Sequence, residues 1–150
     1  MKSGHILIDS NILIYAINNS SPKHKKAQEF LQSHIGLMTI AHQNIFESLR
    51  VLTHRNFPSP MSSNGAVRAI NSIAVHCNVI AADQGAHHIA MALTKKHKLV
   101  GDKIFDAYLA ATALSEGIKT IATDNTKDFS DFEGITLINP FLINSSAIIY

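Results

Sequence analysis

Asp9 sits within His5-Ile-Leu-Ile-Asp9-Ser-Asn11-Ile-Leu-Ile-Tyr-Ala-Ile17, a stretch that is otherwise almost wholly apolar, and it is the only acid between Met1 and Gln28. An ionised carboxylate in such surroundings is costly unless it is hydrogen-bonded, paired or bound to metal. Capping the helix that follows would satisfy it without any chemistry. A second acid, Asp106, lies in the first turn of a helical segment from Asp102 to Glu116. Residues 107–114 of that segment are apolar or small nearly all round. Asp106, Ala110 and Ala113 share one face, so other backbone can come close to the carboxylate. The helix N-terminus alone also favours an anion there, and Asp102 reads as the N-cap. Glu47 shares a helix face with Gln43 and Arg50, and a solvated Glu–Arg pair explains that face equally well. Asp124 and Asn125 follow an apolar strand, as Asp9 does. Acids gathered at one crevice repel unless a cation lies among them, and an all-oxygen donor set suits Mg²⁺ or Mn²⁺. Such ions activate water and neutralise charge on phosphate.

The elements that must position these groups are legible in the periodicity. Ile6-Leu7-Ile8 reads as a short buried strand and Ile12–Ile17 as a helix. Ser21 as N-cap and Pro22 at the first helical position open a second helix, with Ala27, Phe30, Leu31 and Ile35 on its buried face. Gly36 ends it, and Leu37–Ile40 is a strand. Residues 42–54 form a helix with Ile45, Leu49 and Leu52 as its apolar stripe, followed by a Pro- and Ser-rich loop over 55–63. A helix over Ala66–Ile73, a strand over Val75–Ile80 and a helix over Ala86–His97 come next. Gly117 closes the Asp102–Glu116 helix. Ile118–Thr123 and Ile135–Ile138 are the last strands. Alternating strands and helices indicate an α/β sandwich with a mainly parallel sheet, whose ligands sit beyond the carboxyl ends of the strands. Asp9 and Asp124-Asn125 both fall at such ends.

Composition narrows the class. Over 150 residues, 46% are hydrophobic and 16% charged, so acids in apolar contexts are informative. A length of 150 residues implies one domain over 1–150. The formal charge of +2 permits a nucleic-acid partner without arguing for one. Cys77 is the only cysteine, which excludes an internal disulfide and suits a reducing cytoplasm. No apolar segment is long enough to span a bilayer. The nine histidines lack metal-ligand spacing, and Lys23-His24-Lys25-Lys26 reads as a solvated charge run.

Four motifs together carry a family resemblance. They are Ile8-Asp9-Ser-Asn11-Ile-Leu-Ile-Tyr15, Ile45-Phe-Glu47-Ser-Leu-Arg-Val-Leu-Thr53, Gly101-Asp-Lys-Ile-Phe-Asp106-Ala-Tyr-Leu-Ala-Ala-Thr112 and Ile121-Ala-Thr123-Asp-Asn125-Thr-Lys-Asp128-Phe129. In this order and spacing the chain resembles PIN-domain ribonucleases, and specifically VapC-type toxins of toxin–antitoxin pairs, over residues 5–140. The resemblance implies a PIN-like three-layer α/β/α sandwich, a homodimer and a small VapB-type antitoxin as partner. It implies metal-dependent hydrolysis of RNA phosphodiesters by a Mg²⁺ or Mn²⁺ site, with tRNA-like or other structured RNA as substrate. By it, Asp9, Glu47 and Asp106 match the first three acids of the metal site, with Glu47 helping to place the metal or acting as base. The fourth acidic position falls on Asn125, with Asp124 as a fallback ligand; Asn11 and Thr123 would orient ligands, and Asp128 reads as capping the next turn. Leu142–Tyr150 runs past the family pattern, and either packing on its own domain or a dimer contact suits it.

Two other readings compete. Asn125 motivates a degenerate PIN domain that binds RNA or protein without cutting. A phosphoacceptor signalling domain also gathers acids at strand ends, but it needs a Lys after a final strand, where Asn139-Pro140 stand instead.

Overall fold

The chain alternates strands too short to stand alone with helices that carry one apolar face, so burial requires helices on both sides of a sheet. A computed structural model describes residues 4–142 and 148–149. Its elements in order are β1 (Ile6–Ile8), α1 (Ser10–Ile17), α2 (His24–Ser33), β2 (Met38–Ala41), α3 (His42–Thr53), α4 (Ser63–Ala74) and β3 (Asn78–Ile80). There follow α5 (Ala86–His97), α6 (Lys103–Ser115), β4 (Thr120–Ala122), β5 (Thr136–Ile138) and β6 (Ile148–Ile149). The sheet order is β3-β2-β1-β4-β5-β6. Its first five strands are parallel, and β6 pairs antiparallel with β5, matching Ile149 to Leu137 and Ile148 to Ile138. The tail thus contributes an edge strand, while Ser145, Ala147 and Tyr150 lie outside the described residues.

Period-two alternation divides the core. Ile6, Ile8, Met38, Ile40 and Ala122 face α1 and α2, where Ile12, Leu13, Ala27, Phe30 and Leu31 meet them. Leu7, Ala41, Ile80, Ile121 and Leu137 point the opposite way, onto Ala107, Leu109, Ala110 and Ala113 of α6. The result is the three-layer α/β/α sandwich that the sequence implied. Alanines also set the α5–α6 contact, where Ala86, Ala90 and Ala111 are buried together.

Both chain directions leave the middle of the sheet. From β1 the chain winds to β2 and β3 on one side, then crosses to β4 and β5 on the other. Such a switch point opens a crevice at the carboxyl ends of the two central strands. Asp9 follows β1 and Thr123 follows β4, and Asp9 N–H donates to the Ala122 carbonyl at 2.9 Å across that seam.

Several boundaries depart from the sequence reading. The second helix begins at His24 rather than Pro22, because Ser21 Oγ accepts from Lys23 N–H in a preceding turn. Ile35 lies beyond that helix and is exposed rather than buried. Residues 75–77 form a turn in place of strand, with Val75 at the C-cap of α4 and largely exposed. On α3 the most deeply buried residues are Asn44, Ser48 and Leu52, while Ile45 and Leu49 are half-buried, so the inward face is partly polar. Gly117 takes φ of +77°, as a C′ glycine does.

Candidate metal centre

Asp9 is held from three directions. Its Oδ1 accepts from Ser10 N–H at 2.8 Å, so it does cap α1. Its Oδ2 accepts from Thr123 Oγ1 at 2.8 Å and, more distantly, from Asn11 Nδ2 at 3.5 Å. Thr123 Oγ1 in turn accepts from Asn11 Nδ2 at 3.2 Å and from Asn125 N–H at 3.0 Å. Asn11 Oδ1 receives Asp124 N–H at 3.2 Å. One hydroxyl and one amide therefore lock the loop after β4 onto the start of α1. Capping and display at the crevice are both met by the same side chain, one oxygen for each.

Asp106 stands differently. It lies in the first turn of α6, half-buried, with no hydrogen bond among the described residues. Burial and four neighbouring carboxylates raise its pKa to about 7, with Asp128 the strongest of the four, then Asp9, Glu47 and Asp102. Burial also raises Asp9, to about 6, against the lowering effect of its Thr123 and Ser10 bonds; Glu47 and Asp128 add to the rise. Asp9, Glu47, Asp106 and Asp128 thus share one electrostatic site although they come from the β1–α1 junction, α3, α6 and a 3-10 turn over Thr126–Asp128.

Glu47 is oriented by its own helix and by α6. Gln43 Nε2 donates to Glu47 Oε1 at 2.6 Å and to the Phe105 carbonyl at 3.0 Å, tying the two acid-bearing helices together. The Glu47–Arg50 ion pair of the sequence reading does not form; the ion pairs among the described residues are Lys23–Asp124 and Lys96–Glu133. Deeper, Asn44 Oδ1 accepts from Ala41 N–H at 2.8 Å and its Nδ2 donates to Ser10 Oγ at 3.3 Å, which anchors α3 beside Asp9.

Several expectations change. Asp124, held as a fallback ligand, turns away: its Oδ2 is engaged by Lys23 Nζ at 2.5 Å and by Tyr15 Oη at 3.1 Å. Lys23 also lies 5.2 Å from the Tyr15 ring and 5.3 Å from the Phe141 ring, so it is an organised contact rather than a free charge. Asp128 ends the 3-10 turn, and in place of the expected capping bond, which is not formed among the described residues, its charge acts on Asp9 and Asp106. Asn125, in the fourth acidic position by resemblance, is exposed and contributes its backbone N–H to Thr123. Asp102 stands at the N-cap position of α6 but makes no capping hydrogen bond; it lines the cleft instead. Gln43 and Asn44 carried no signal beyond their polarity on an otherwise half-apolar helix.

The cleft before Glu47 and Asp106 has a volume of about 590 Å³, with Phe46, Arg50, Asp102 and Phe105 on its walls. Among the described residues, no three acids, histidines or cysteines are already drawn to metal-ligand distance. The donor chemistry nevertheless fits a hard divalent ion. The set is all carboxylate, and burial first, with neighbouring carboxylates adding to it, makes the charged forms of Asp9 and Asp106 unfavourable, a cost that a bound cation would offset. A more apolar groove of about 530 Å³ lies away from these acids, between α1, α2 and α4, with His76 as its one titratable side chain.

A family model described as PIN domain matches residues 6–135. The chain belongs to the PIN domain family. It is 28% identical over 139 residues to ribonuclease VapC48 of Mycobacterium tuberculosis, covering 89% of this chain and 95% of that protein. Among solved structures it is similar to a toxin–antitoxin complex from Klebsiella pneumoniae, with 24% identity, a TM-score of 0.67, and coverage of 91% of this chain and 98% of the other. It is also similar in fold to M. tuberculosis VapC20, a sarcin–ricin loop cleaving toxin, with 17% identity, a TM-score of 0.68 and coverage of 87% and 98%. The PIN domain match spans the whole acidic site, from Asp9 to Asp128. Among the described residues, no helix is long and apolar enough to cross a membrane.

Proposed function

We propose that this PIN domain protein is a metal-dependent endoribonuclease, acting as a VapC-type toxin restrained by a VapB-type antitoxin. The observation that carries this reading is that Asp9 and Asp106, from distant segments, each feel the charges of the other acids Glu47 and Asp128 beside the sheet's switch point. Similarity to a protein named a ribonuclease, and to toxin–antitoxin complexes, supports the same assignment. We further assign the chain a single PIN-like domain, a cytoplasmic setting and a homodimeric state, as its resemblance to the family implies.

Asp9, Asp106, Glu47 and Asp128 would hold Mg²⁺ or Mn²⁺. When bound, the ion supplies positive charge at the scissile phosphate and lowers the pKa of the attacking water. Asp9 is fixed in advance by Thr123, Asn11 and the Ser10 N–H, so it loses little freedom on binding. Glu47 Oε1 is taken by Gln43, which leaves Oε2 to accept the proton of the attacking water. Structured RNA such as tRNA is the substrate class that the resemblance suggests. The non-cutting alternative drew on Asn125; Asp128 supplies a fourth carboxylate and so favours the cutting one.

The test is to incubate purified protein with total tRNA and Mg²⁺ or Mn²⁺, beside Asp9→Ala and Asp106→Asn. Metal-dependent cleavage by the wild type alone is expected. Equal cleavage by all three proteins removes the enzyme claim, and RNA binding without products favours the non-cutting module.

A further inference from the structure

Two large aromatic side chains stand exposed at the mouth of the acidic cleft. Phe46 is 68% and Phe105 59% exposed. Each immediately precedes an acid of the site, Glu47 on α3 and Asp106 on α6, so each ring is fixed within one residue of the reacting centre. Both line the same cleft, together with Arg50. Their separation is not left to chance, because Gln43 Nε2 bonds the Phe105 carbonyl from the helix that carries Phe46. Arg50 forms no ion pair with Glu47 and so keeps its guanidinium for an anion.

We propose that Phe46 and Phe105 are positioning residues that stack the bases on either side of the scissile phosphodiester, with Arg50 on a flanking phosphate. The inference rests on the ribonuclease reading of the acidic site. The occupant follows from the alternation of chemistry along the cleft. Flat apolar rings flank an acidic centre, with a cation at its edge, and an unpaired polynucleotide offers flat bases, a phosphate to each, and nothing else of that pattern. Base–aromatic stacking is tolerant of sequence because every base has a π face, and losing one such platform weakens binding about tenfold. A single platform beside the cut would hold one nucleotide; two, on separate helices joined by Gln43, splay successive bases apart and present the phosphate between them to Glu47 and Asp106.

The probe is a single-stranded RNA of about 12 nucleotides carrying 2-aminopurine at internal positions, a length that spans one binding groove. It is titrated with the Mn²⁺-loaded full chain, and quenching of 2-aminopurine reports stacking directly. Wild-type protein is expected to quench, and Phe46→Leu or Phe105→Leu to lose quenching and weaken binding about tenfold each. Phe105→Tyr, which keeps a ring, restores both. Asp9→Ala keeps the quenching while cleavage is lost, so the two readings fail separately. Cleavage without quenching by the wild type overturns the stacking proposal and leaves the nuclease standing; quenching without cleavage does the reverse. A Leu variant whose sedimentation changes in step with its loss of binding also overturns the proposal, since the rings then serve a contact between copies of the chain.

Discussion

Asp9, buried, and Asp106, half-buried, both have raised pKa values, yet the protein treats them in opposite ways. Asp9 is surrounded by donors: a hydroxyl, an amide and a backbone N–H hold its two oxygens, and these bonds pull its pKa down against burial. Asp106 has neighbours but no donors, and every influence on it pushes upward. The first is a carboxylate whose position is settled before any ligand arrives. The second is one whose charge is unfavourable until a cation joins it. A metal ion held by these two acids would take its geometry from one and its affinity from relief of the other's unfavourable charge.

The largest break in that comparison comes from removing either carboxylate. Asp9→Ala and Asp106→Asn should each lower RNA cleavage by about a thousandfold or more, the scale of losing a principal transition-state interaction, as measured by initial rates on labelled RNA. Their stabilities should diverge. Asp9→Ala loses the α1 cap and leaves Thr123 Oγ1 without its acceptor, destabilising by about 1–2 kcal/mol. Asp106→Asn removes a disfavoured charge and should raise the melting temperature of metal-free protein above neutral pH. A lower melting temperature for Asp106→Asn there would refute the contrast.

Next in size is the pH dependence of the metal-free protein. Both folded-state pKa values lie above the ordinary 3.8, at about 6 for Asp9 and about 7 for Asp106. The folded state therefore binds these protons more tightly than the unfolded chain does. The stability they contribute is full below pH 3.8 and is lost as pH rises through about 6 and 7. Thermal melts should fall across that window, and saturating Mn²⁺ should recover about 5 °C or more at pH 8 and little at pH 5. An Mn²⁺ effect that is the same at both pH values argues against a carboxylate site.

Thr123→Val sharpens the comparison at its donor-rich end. It removes one donor to Asp9 and the acceptor for Asn11 and Asn125, at about 1–2 kcal/mol, and should push Asp9 further up in a carboxyl-carbon NMR titration. Asp128→Asn acts at the donor-poor end, where it should lower the Asp106 pKa in the same titration without disturbing the fold. The smallest effect is expected from Asp124→Asn, which breaks the Lys23 pair. Lys23 is 40% exposed, so solvent screening leaves about 0.5 kcal/mol. Calorimetry should find metal binding unchanged, in keeping with a carboxylate turned away from the site.

The sequence made the two contrasted acids visible for different reasons. Asp9 stood out because a charge interrupts an apolar run, and Asp106 because it opens a helix of small residues. The parallel sandwich followed from the alternation of elements, and the local periodicity of Ile6–Ile8 and Ala107–Leu114 agreed with it. What stayed hidden depends on pairing across the chain. Nothing local to Asp124 announces Lys23, which lies 101 positions away. The position from which Asp128 acts on Asp9 and Asp106 is set by a 3-10 helix of three residues, too short to leave a period. The exposure of Ile35 follows from where α2 stops, and helix ends are set by competing turns rather than by the apolar stripe.

The seam between β1 and β4 also bears on how the molecule comes into being. Its two strands lie far apart in the chain, while β1 and β2 can pair early. A nascent chain that has not yet delivered β4 has Asp9 without Thr123, and no turn to bring Asp128 round. Such a chain holds Asp9, Glu47 and Asp106 on elements not yet clasped together. The acidic site is therefore completed only after β4 has joined the sheet.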